Sequence, residues 1–533
     1  MLTPHTPSKP SPAPVQTGPF IPDDVTLRTR VLIALRWTTL SKFVGQLISW
    51  TITLYVIRIL SPDDYGLIAM ASVPLAFFYL LNTAGLDAVL VQKRDVSERL
   101  RAQIFGLVIM LNLLFFLISL GVAPWIATFY DEPRLTALIR ILSFQFVLLA
   151  FETLPQSQLE RDIKFGRRSI VELVTIVAGS LIALTLARAG FGVWTLVWGS
   201  LATTAIRTGG LNLAQRSLCW PRFSLEGMKS DLRFGRAATV DRALRFTLAD
   251  SDRFIGGKLF GNILLGYYAV ANDLASLPIN KLTGLINSIA LPAFAKTQLN
   301  PAGAGSSLLT VTRLMSLLAF PFFLGMSSIA SELTTLLLGP KWQAAAVPLQ
   351  LLSLIMPLRM LMNAFQPFLW GVGRPDTSAS TFLIGALSMP IAFLVGAQWG
   401  PVGLSLAWAL VYPLVFLASI AYAQSLTGVL VTDILRTMAR PILASLLMYA
   451  LVFTAKHYAV FAQSGRVLHL AQLVVVGAVT YTGAMLVLDR DVCLDACDLL
   501  GAFLGGRPPE GQVSQSNISP ATGGKQGPVE QRR

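Results

Sequence analysis

The stretch QIFGLVIMLNLLFFLISLGVAP, from Gln103 to Pro124, carries no charged side chain, and its polar residues are Gln103, Asn112 and Ser119. At about 1.5 Å per residue, a helix of this length reaches across a hydrocarbon core of about 30 Å. In lipid the backbone must satisfy its own hydrogen bonds, which leaves helices or closed barrels, and a barrel strand needs only about ten residues of alternating polarity. The stretch therefore predicts a transmembrane helix. From Thr38 to Leu488 it is one of fourteen such apolar stretches, over 38–59, 66–90, 103–124, 136–155, 170–188, 191–211, 238–256, 264–287, 308–330, 346–370, 378–397, 400–423, 440–458 and 466–488. The fold class that follows is an all-α integral membrane protein of about fourteen transmembrane helices.

Composition agrees. Of 533 residues, 54% are hydrophobic and 13% charged, against about 25% charged in soluble domains. A soluble enzyme is excluded on that ground. Cys219, Cys493 and Cys497 are too few for a disulfide framework, and the last two have CxxxC rather than CxxC spacing. His5, His457 and His469 lie far apart, so a histidine metal centre is not expected. Gly256-Gly257-Lys258 lacks the upstream glycine and following hydroxyl of a phosphate-cradling loop, so ATP hydrolysis within the chain is not expected. No catalytic residue and no cofactor emerge.

The net charge of +14 sits in short loops, which points to membrane orientation rather than to nucleic acid. In the first half one side carries Arg28, Arg30 and Arg36, then Lys93, Arg94, Arg99 and Arg101, then Arg161, Lys164, Arg167 and Arg168, then the long loop from Arg207 through Arg216 and Arg222 to Arg236. The other side has Arg134 and Arg188 beside Asp63, Asp64, Asp131 and Glu132. Positive charge faces the cytoplasm, so the N-terminus is predicted to be cytoplasmic. In the second half Lys296, Arg374, Arg436 and Arg440 balance Lys258, Lys341, Lys456 and Arg466, and charge does not orient it.

An internal repeat does. IRILSPDDYGLIAMA (Ile57–Ala71) aligns with GKLFGNILLGYYAVA (Gly257–Ala271), placing Arg58 on Lys258, Gly66 on Gly266 and Ala71 on Ala271. LIRILS (Leu138–Ser143) then falls on PLQLLS (Pro348–Ser353), and GFGVW at Gly190 on GPVGL at Gly400. Six spans per copy, an even number, give both copies one topology, related by an axis along the membrane normal. The predicted organisation is a disordered cytoplasmic tail over 1–30, an N-lobe over 31–212, a cytoplasmic inter-lobe loop over 213–237, a C-lobe over 238–424, two further helices over 439–488, and a cytoplasmic tail over 489–533, rich in Gly, Pro and Gln and read as disordered.

Two packed repeats enclose a space at their interface, and charges inside spans mark it, because each costs a few kcal/mol or more in lipid. RAATVDRALRFTLADSDRFIGG (Arg236–Gly257) is the least lipid-like span and reads as cavity-lining, with Asp241/Arg245 at i,i+4 and Asp250/Arg253 at i,i+3 able to neutralise each other. The alternative, an amphipathic helix lying on the membrane, would leave thirteen spans, and the repeat argues against it. Arg242 and Arg245, with Lys42, Lys281, Arg313 and Arg359 from other spans, are the candidate substrate-binding residues of a cationic cavity suited to a diphosphate. Asp241, Asp250 and Asp252 are the candidates for ion coupling to an H⁺ or Na⁺ gradient. Asp87, Glu152 and Glu172 fall near cytoplasmic span ends, where interfacial solvation accounts for them, and no coupling site is assigned there.

VIRILSPDDYGLIAMASVPLAFFYLLNTAGLDAVLVQKRDVSE (Val56–Glu98) resembles the first helices of bacterial polysaccharide flippases of the Wzx type. FYDEPRLTALIRILS (Phe129–Ser143), LERDIKFGRRSIVEL (Leu159–Leu173), SDRFIGGKLFGNILLGYYAVA (Ser251–Ala271) and LLLGPKWQAAAVPLQLLS (Leu336–Ser353) resemble the same family. The likeness covers roughly residues 30–425, and its motifs are structural. Asn82 departs from it, since the family often has Asp there, as does the heavy charge of span seven. The resemblance implies two six-helix lobes plus two C-terminal helices in the bacterial inner membrane. It further implies translocation of an undecaprenyl-diphosphate-linked oligosaccharide, with membrane lipids, a polysaccharide polymerase and chain-length or export proteins as partners. A cation-coupled multidrug exporter of the same superfamily, and a membrane polymerase or glycosyltransferase of the same pathway, are the competing readings. The short loops disfavour the enzyme.

Overall fold

The computed structural model describes residues 45–489 apart from 84, 93–95, 163–164, 218, 298–300, 372–374 and 458–464. Lys42, both expected tails except Asp489, and the side chain of Lys281 lie outside the described residues. Every regular element described is helical: α1 (45–59), α2 (Pro62–Leu81), α3 (Leu86–Gln92), α4 (Glu98–Phe129), α5 (Arg134–Leu142), α6 (Phe144–Ala150), α7 (Thr153–Arg161), α8 (Phe165–Arg188), α9 (Trp194–Ala214), α10 (Lys229–Thr297), α11 (Pro301–Ser328), α12 (Ala330–Leu337), α13 (Ala346–Gly371), α14 (Pro375–Gly396), α15 (Gly400–Thr427), α16 (Val431–His457) and α17 (Arg466–Leu488).

Among these residues, nine stretches are long and apolar enough to cross a membrane, or ten when the bent pair Arg134–Ala150 and Thr153–Arg161 is taken as one span. Two of the nine, Thr239–Ile279 and Phe382–Tyr422, are 41 residues long, twice what one crossing needs. Each is two spans joined end to end. Gly261 (φ 75°, ψ −175°) breaks α10, and a 3₁₀ turn over Ala397–Trp399 followed by Gly400 (φ 64°) separates α14 from α15. Both turns use a backbone conformation that only glycine enters without strain. All fourteen expected stretches fall on helix, the first from residue 45 onward and the sixth on α9, which does not itself meet the length-and-apolarity measure.

Local chemistry sets the boundaries. Ser61 caps α2 by accepting from the Asp64 amide at 3.2 Å, Asp64 Oδ2 accepts from the Ser61 amide at 2.9 Å, and Pro62 opens the first turn. Ser97 caps α4 in the same way, accepting from the Leu100 amide at 3.1 Å. Met110, Leu113, Leu114 and Leu117 of α4 are exposed, the expected state of side chains that face lipid in the middle of an uninterrupted apolar span.

The two halves meet along α2 and α10, with α10 packing further on α13 and α14 and with α16 and α17 gathered against α11. One buried core runs through both halves, from Met70, Leu75 and Phe146 to Leu265, Tyr268, Phe323, Trp342 and Trp408. Gly66 and Gly266, matched in the sequence repeat, form a close crossing. A Cβ on Gly66 would lie 1.8 Å from the Asn262 carbonyl oxygen, and one on Gly266 would lie 1.9 Å from that of Pro62. The span over Arg236–Gly257 is part of this packed interface, so the membrane-surface alternative for it does not hold.

Candidate functional site

At the Gly66–Gly266 end, the halves are sealed. Trp342 Nε1 donates to the Ile57 carbonyl at 2.9 Å and Lys341 Nζ to the Ile59 carbonyl at 2.9 Å. Reciprocally, Lys258 Nζ pairs with Asp131 Oδ2 at 2.7 Å, and Phe254 stacks on Phe129 with ring centroids 5.3 Å apart. Asn262 Nδ2 donates to Asp63 Oδ1 at 2.5 Å and Glu132 Oε2 at 3.3 Å. Arg134 holds the same two acids, at 2.8 Å for Asp63 and 2.7 Å for Glu132. Its hydrogen bond keeps the Glu132 carboxyl below the usual carboxylate range, against a smaller opposing effect of burial. Each half thus docks the segment around residue 57 or 257 onto a loop of the other.

At the opposite end, a cavity of about 590 Å³ opens in the N-terminal half, lined by Tyr79, Asn82 and Thr83 near the end of α2, Asp87 of α3, Glu152 at the α6–α7 bend, and Gln156 and Glu160 of α7, with Arg242 of α10 reaching its wall from the other half. Arg242 bridges the halves: Nη2 donates to Asp87 Oδ2 at 2.8 Å and Nη1 to Asp87 Oδ1 and Thr83 Oγ1, both at 3.3 Å. Thr83 in turn donates to Asp87 Oδ1 at 2.9 Å. Both members of the ion pair are about one-third exposed (35% and 34%). Glu152 is held by Arg207 at 3.2 Å, and Arg168 holds Glu160 at 2.6 Å and Glu172 at 2.7 Å. Each of these acids therefore has an arginine. Glu152, expected to be solvated at the interface, is instead only 7% exposed at its side chain; it sits where α6 bends into α7, and Arg207 replaces water as its partner. The Asn82 carbonyl, at the end of α2, accepts from buried Asn112 at 3.2 Å.

A second, smaller cavity of about 150 Å³ lies wholly in the C-terminal half, among α10, α13, α14 and α15, with Arg245 and Arg359 on its wall beside Phe382 and Trp408. Arg245 pairs with Asp241 at 2.7 Å and lies 4.4 Å over the Phe382 ring; Arg359 lies 4.5 Å over Trp408. Asp252 is completely buried, accepting from Tyr268 Oη at 2.5 Å and Trp408 Nε1 at 3.0 Å. Arg253 pairs with Asp273 and lies 4.0 Å from Asp250.

The four candidate cations whose side chains are described are not gathered in one place. Arg242 lines the large cavity and Arg245 and Arg359 the small one, while Arg313 lines neither and lies 3.8 Å from Asp489, which Arg440 also holds at 2.6 Å. Arg242 and Arg245, three residues apart and so on one face of α10, take different partners: Arg242 reaches Asp87 of α3, and Arg245 turns to Asp241 and the Phe382 ring. Sequence reasoning missed the Arg242–Asp87 bridge and the aromatic partners Tyr268 and Trp408, for which no local signal exists.

The model of a family described as "Polysaccharide biosynthesis protein" matches residues 55–347, more than half of the chain. The chain belongs to that family. Among polysaccharide biosynthesis proteins it is similar to the succinoglycan biosynthesis transport protein ExoT of Rhizobium meliloti (strain 1021), 25% identical over 480 residues, 89% of this chain and 96% of that one. It is similar also to the lipopolysaccharide biosynthesis protein WzxC of Escherichia coli (strain K12), 23% identical over 390 residues, 73% of this chain and 79% of that one. In fold it is like the lipid II flippase MurJ in an inward closed conformation, with a TM-score of 0.71 at 12% identity, covering 86% of this chain and 99% of that one. A multidrug resistance MATE family transporter in an inward-facing conformation gives a TM-score of 0.53 at 13% identity, over 72% and 96%. This member of the polysaccharide biosynthesis family is thus a multi-pass membrane protein with the fold those transporters share.

Proposed function

We propose that the chain is a flippase that carries an undecaprenyl-diphosphate-linked oligosaccharide across the bacterial inner membrane for polysaccharide assembly, with both termini in the cytoplasm. The observation that carries this reading is the cavity lined by polar residues of the N-terminal half and reached from the other half by Arg242, which bridges to Asp87, while the contacts around Gly66 and Gly266 close the opposite end of the interface. Its volume lies within the roughly 300–1,000 Å³ of ligand sites. The open end adjoins the basic loops, which positive-inside bias assigns to the cytoplasm, where lipid-linked sugars are loaded.

The polar headgroup enters this cavity while its lipid tail stays in the bilayer, which spares the tail from water and the sugars from hydrocarbon. Asn82, Thr83, Gln156 and Ser157 offer hydrogen bonds to sugar hydroxyls. Rocking of the halves then opens the sealed end. Of the candidate coupling acids, Asp241 and Asp252 are committed to Arg245 and to Tyr268 with Trp408, and Asp250 is the least tied, 4.0 Å from Arg253. The test is complementation of a flippase-deficient host. Restored surface polysaccharide by wild type, with lipid-linked repeat units accumulating when Asn82→Leu or Gln156→Leu narrows the cavity, supports the reading. A well-inserted wild type that exports a panel of drugs and restores no polysaccharide in the cognate host sinks it.

A further inference from the structure

The segment that joins α9 to α10, residues 215–228, is non-helical at its described positions and is strapped to the first turns of α4. The Arg222 amide donates to the Ala102 carbonyl at 2.9 Å, and Gln103 Nε2 donates to the carbonyls of Ser224 at 3.0 Å and Glu226 at 3.1 Å. A Cβ on Gly106 would lie 2.5 Å from the Arg222 carbonyl oxygen, so the strap runs through the notch that this glycine leaves. Beyond the notch, Met110, Leu113 and Leu117 follow Gly106 at i+4, i+7 and i+11, one stripe of α4, and all three are exposed to lipid. The strap therefore covers one end of a lipid-facing stripe, on the outside of the bundle, and lines neither cavity described above. Gly106 and Met110 are about 6 Å apart along the helix, so the strap lies just outside the first bare apolar side chain. That is the depth of the boundary between headgroups and acyl chains, where interfacial groups bury by about 5–10 Å.

At this depth the strap leaves Trp220 89%, Phe223 70% and Leu225 56% exposed. Arg216 and Arg222 beside them are exposed too. Other arginines at this end hold carboxylates: Arg99 pairs with Glu226 at 3.0 Å, Arg101 with Glu98 at 3.3 Å, Arg168 with Glu160 and Glu172, and Arg207 with Glu152. Arg216 and Arg222 make no ion pair among the described residues, and the acids on and beside the strap, Glu226 and Glu98, are already taken. Aromatic rings without protein cover, at the headgroup boundary and next to two free guanidiniums, match an anionic lipid surface: the rings seat among glycerol and upper acyl groups, and the guanidiniums fork phosphate oxygens. We infer that the strap between the halves is a binding site for anionic phospholipid headgroups, held by Arg216 and Arg222 and seated by Trp220 and Phe223. Positive-inside bias assigns it to the cytoplasmic leaflet. The site does not depend on the flippase reading.

Fluorescence quenching of the full-length protein tests it, in phosphatidylcholine vesicles with about one-fifth of the lipid as brominated phosphatidylglycerol or, in a parallel set, as brominated phosphatidylcholine. The emission of Trp220 is the difference between each protein and its Trp220→Phe counterpart. Brominated phosphatidylglycerol should quench that emission about threefold or more strongly than brominated phosphatidylcholine does. With Arg216→Gln and Arg222→Gln together, the ratio should fall to about one. Both side chains are exposed and unpaired, so the fold does not depend on them; raising the salt to about 1 M, where the screening length is about 3 Å, should erase the preference without any substitution. Emission quenched by aqueous iodide and by neither lipid would put the strap in water, free for a soluble partner, and overturn the site. Equal quenching by the two lipids in wild type, or a preference that survives the loss of both arginines, overturns it as well. Export does not enter the readout, so this result and that of complementation are independent.

Discussion

The two ends of the interface between the halves are built differently. At the sealed end, backbone touches backbone at Gly66 and Gly266, buried Trp342 reaches across to a carbonyl, and ion pairs around Asp63, Asp131 and Glu132 close the rim. At the other end, a cavity of about 590 Å³ is crossed by one bidentate bridge, Arg242 to Asp87, that is itself partly solvated. Close backbone packing with ion pairs at its rim holds the first; one ion pair holds the second. Packing at van der Waals distance tolerates no insertion, whereas a partly exposed ion pair is weak and can exchange its carboxylate for another anion.

The largest effect that would break this contrast comes from filling the sealed end. Gly266→Val must push against the Pro62 carbonyl and should destabilise the protein by about 3 kcal/mol or more, read as a lowered unfolding temperature and a reduced membrane level. A stable, normally abundant variant would mean that close approach does not hold this end together. Next, Arg242→Ala at the open end should cost only about 1 kcal/mol of stability, since both partners are partly exposed, yet impair export. The double exchange Arg242→Asp with Asp87→Arg should recover part of it, and equal export by wild type, Arg242→Ala and the double exchange would deny the bridge a role.

Acid sharpens the contrast with no mutation at all. The Glu132 carboxyl is held below the usual range by Arg134, so its contribution to the sealed end is fully present above the ordinary glutamate value of about 4.3 and lost as pH falls through the lowered value. That pair lies within one half, so stability should fall below about pH 4 and hold from pH 5 to 7, while labels placed across the sealed end stay together; in Glu132→Gln the pH-dependent loss of stability should vanish. The smallest effect belongs to Lys258→Ala. Its pair with Asp131 is largely exposed, and a double-mutant cycle should return less than about 0.5 kcal/mol of coupling.

Much of the fold was legible in the chain because lipid imposes a length and a polarity on each crossing. All fourteen apolar stretches fall on helix, and the matched pairs Gly66/Gly266 and Gly190/Gly400 lie at a close crossing or in positive-φ turns. The site was legible only in part. Hydropathy marked Arg242, Arg245 and Arg359 as charges inside spans, yet not their partners: Asp87 is 155 residues from Arg242, and Trp408 reads as one more apolar residue until its indole is found between Arg359 and Asp252. Which way a side chain turns depends on neighbours remote in sequence, which no periodicity encodes. Arg313 shows the same limit, a charge inside an apolar stretch whose partner lies past the end of the last helix.

The crossing of Gly66 on Gly266 also has a mechanical meaning. The arm of α10 from Lys229 to Phe260 is a single helix of about 48 Å at 1.5 Å per residue, and its far end lies beyond the large cavity while its near end lies beside that crossing. With the crossing as fulcrum, a tilt of about 10° sweeps the far end through about 8 Å, while atoms at the pivot move by a small fraction of that. Leverage of this kind lets a contact made of two glycines and two carbonyls stay intact while the opposite mouth changes width by more than the diameter of a side chain.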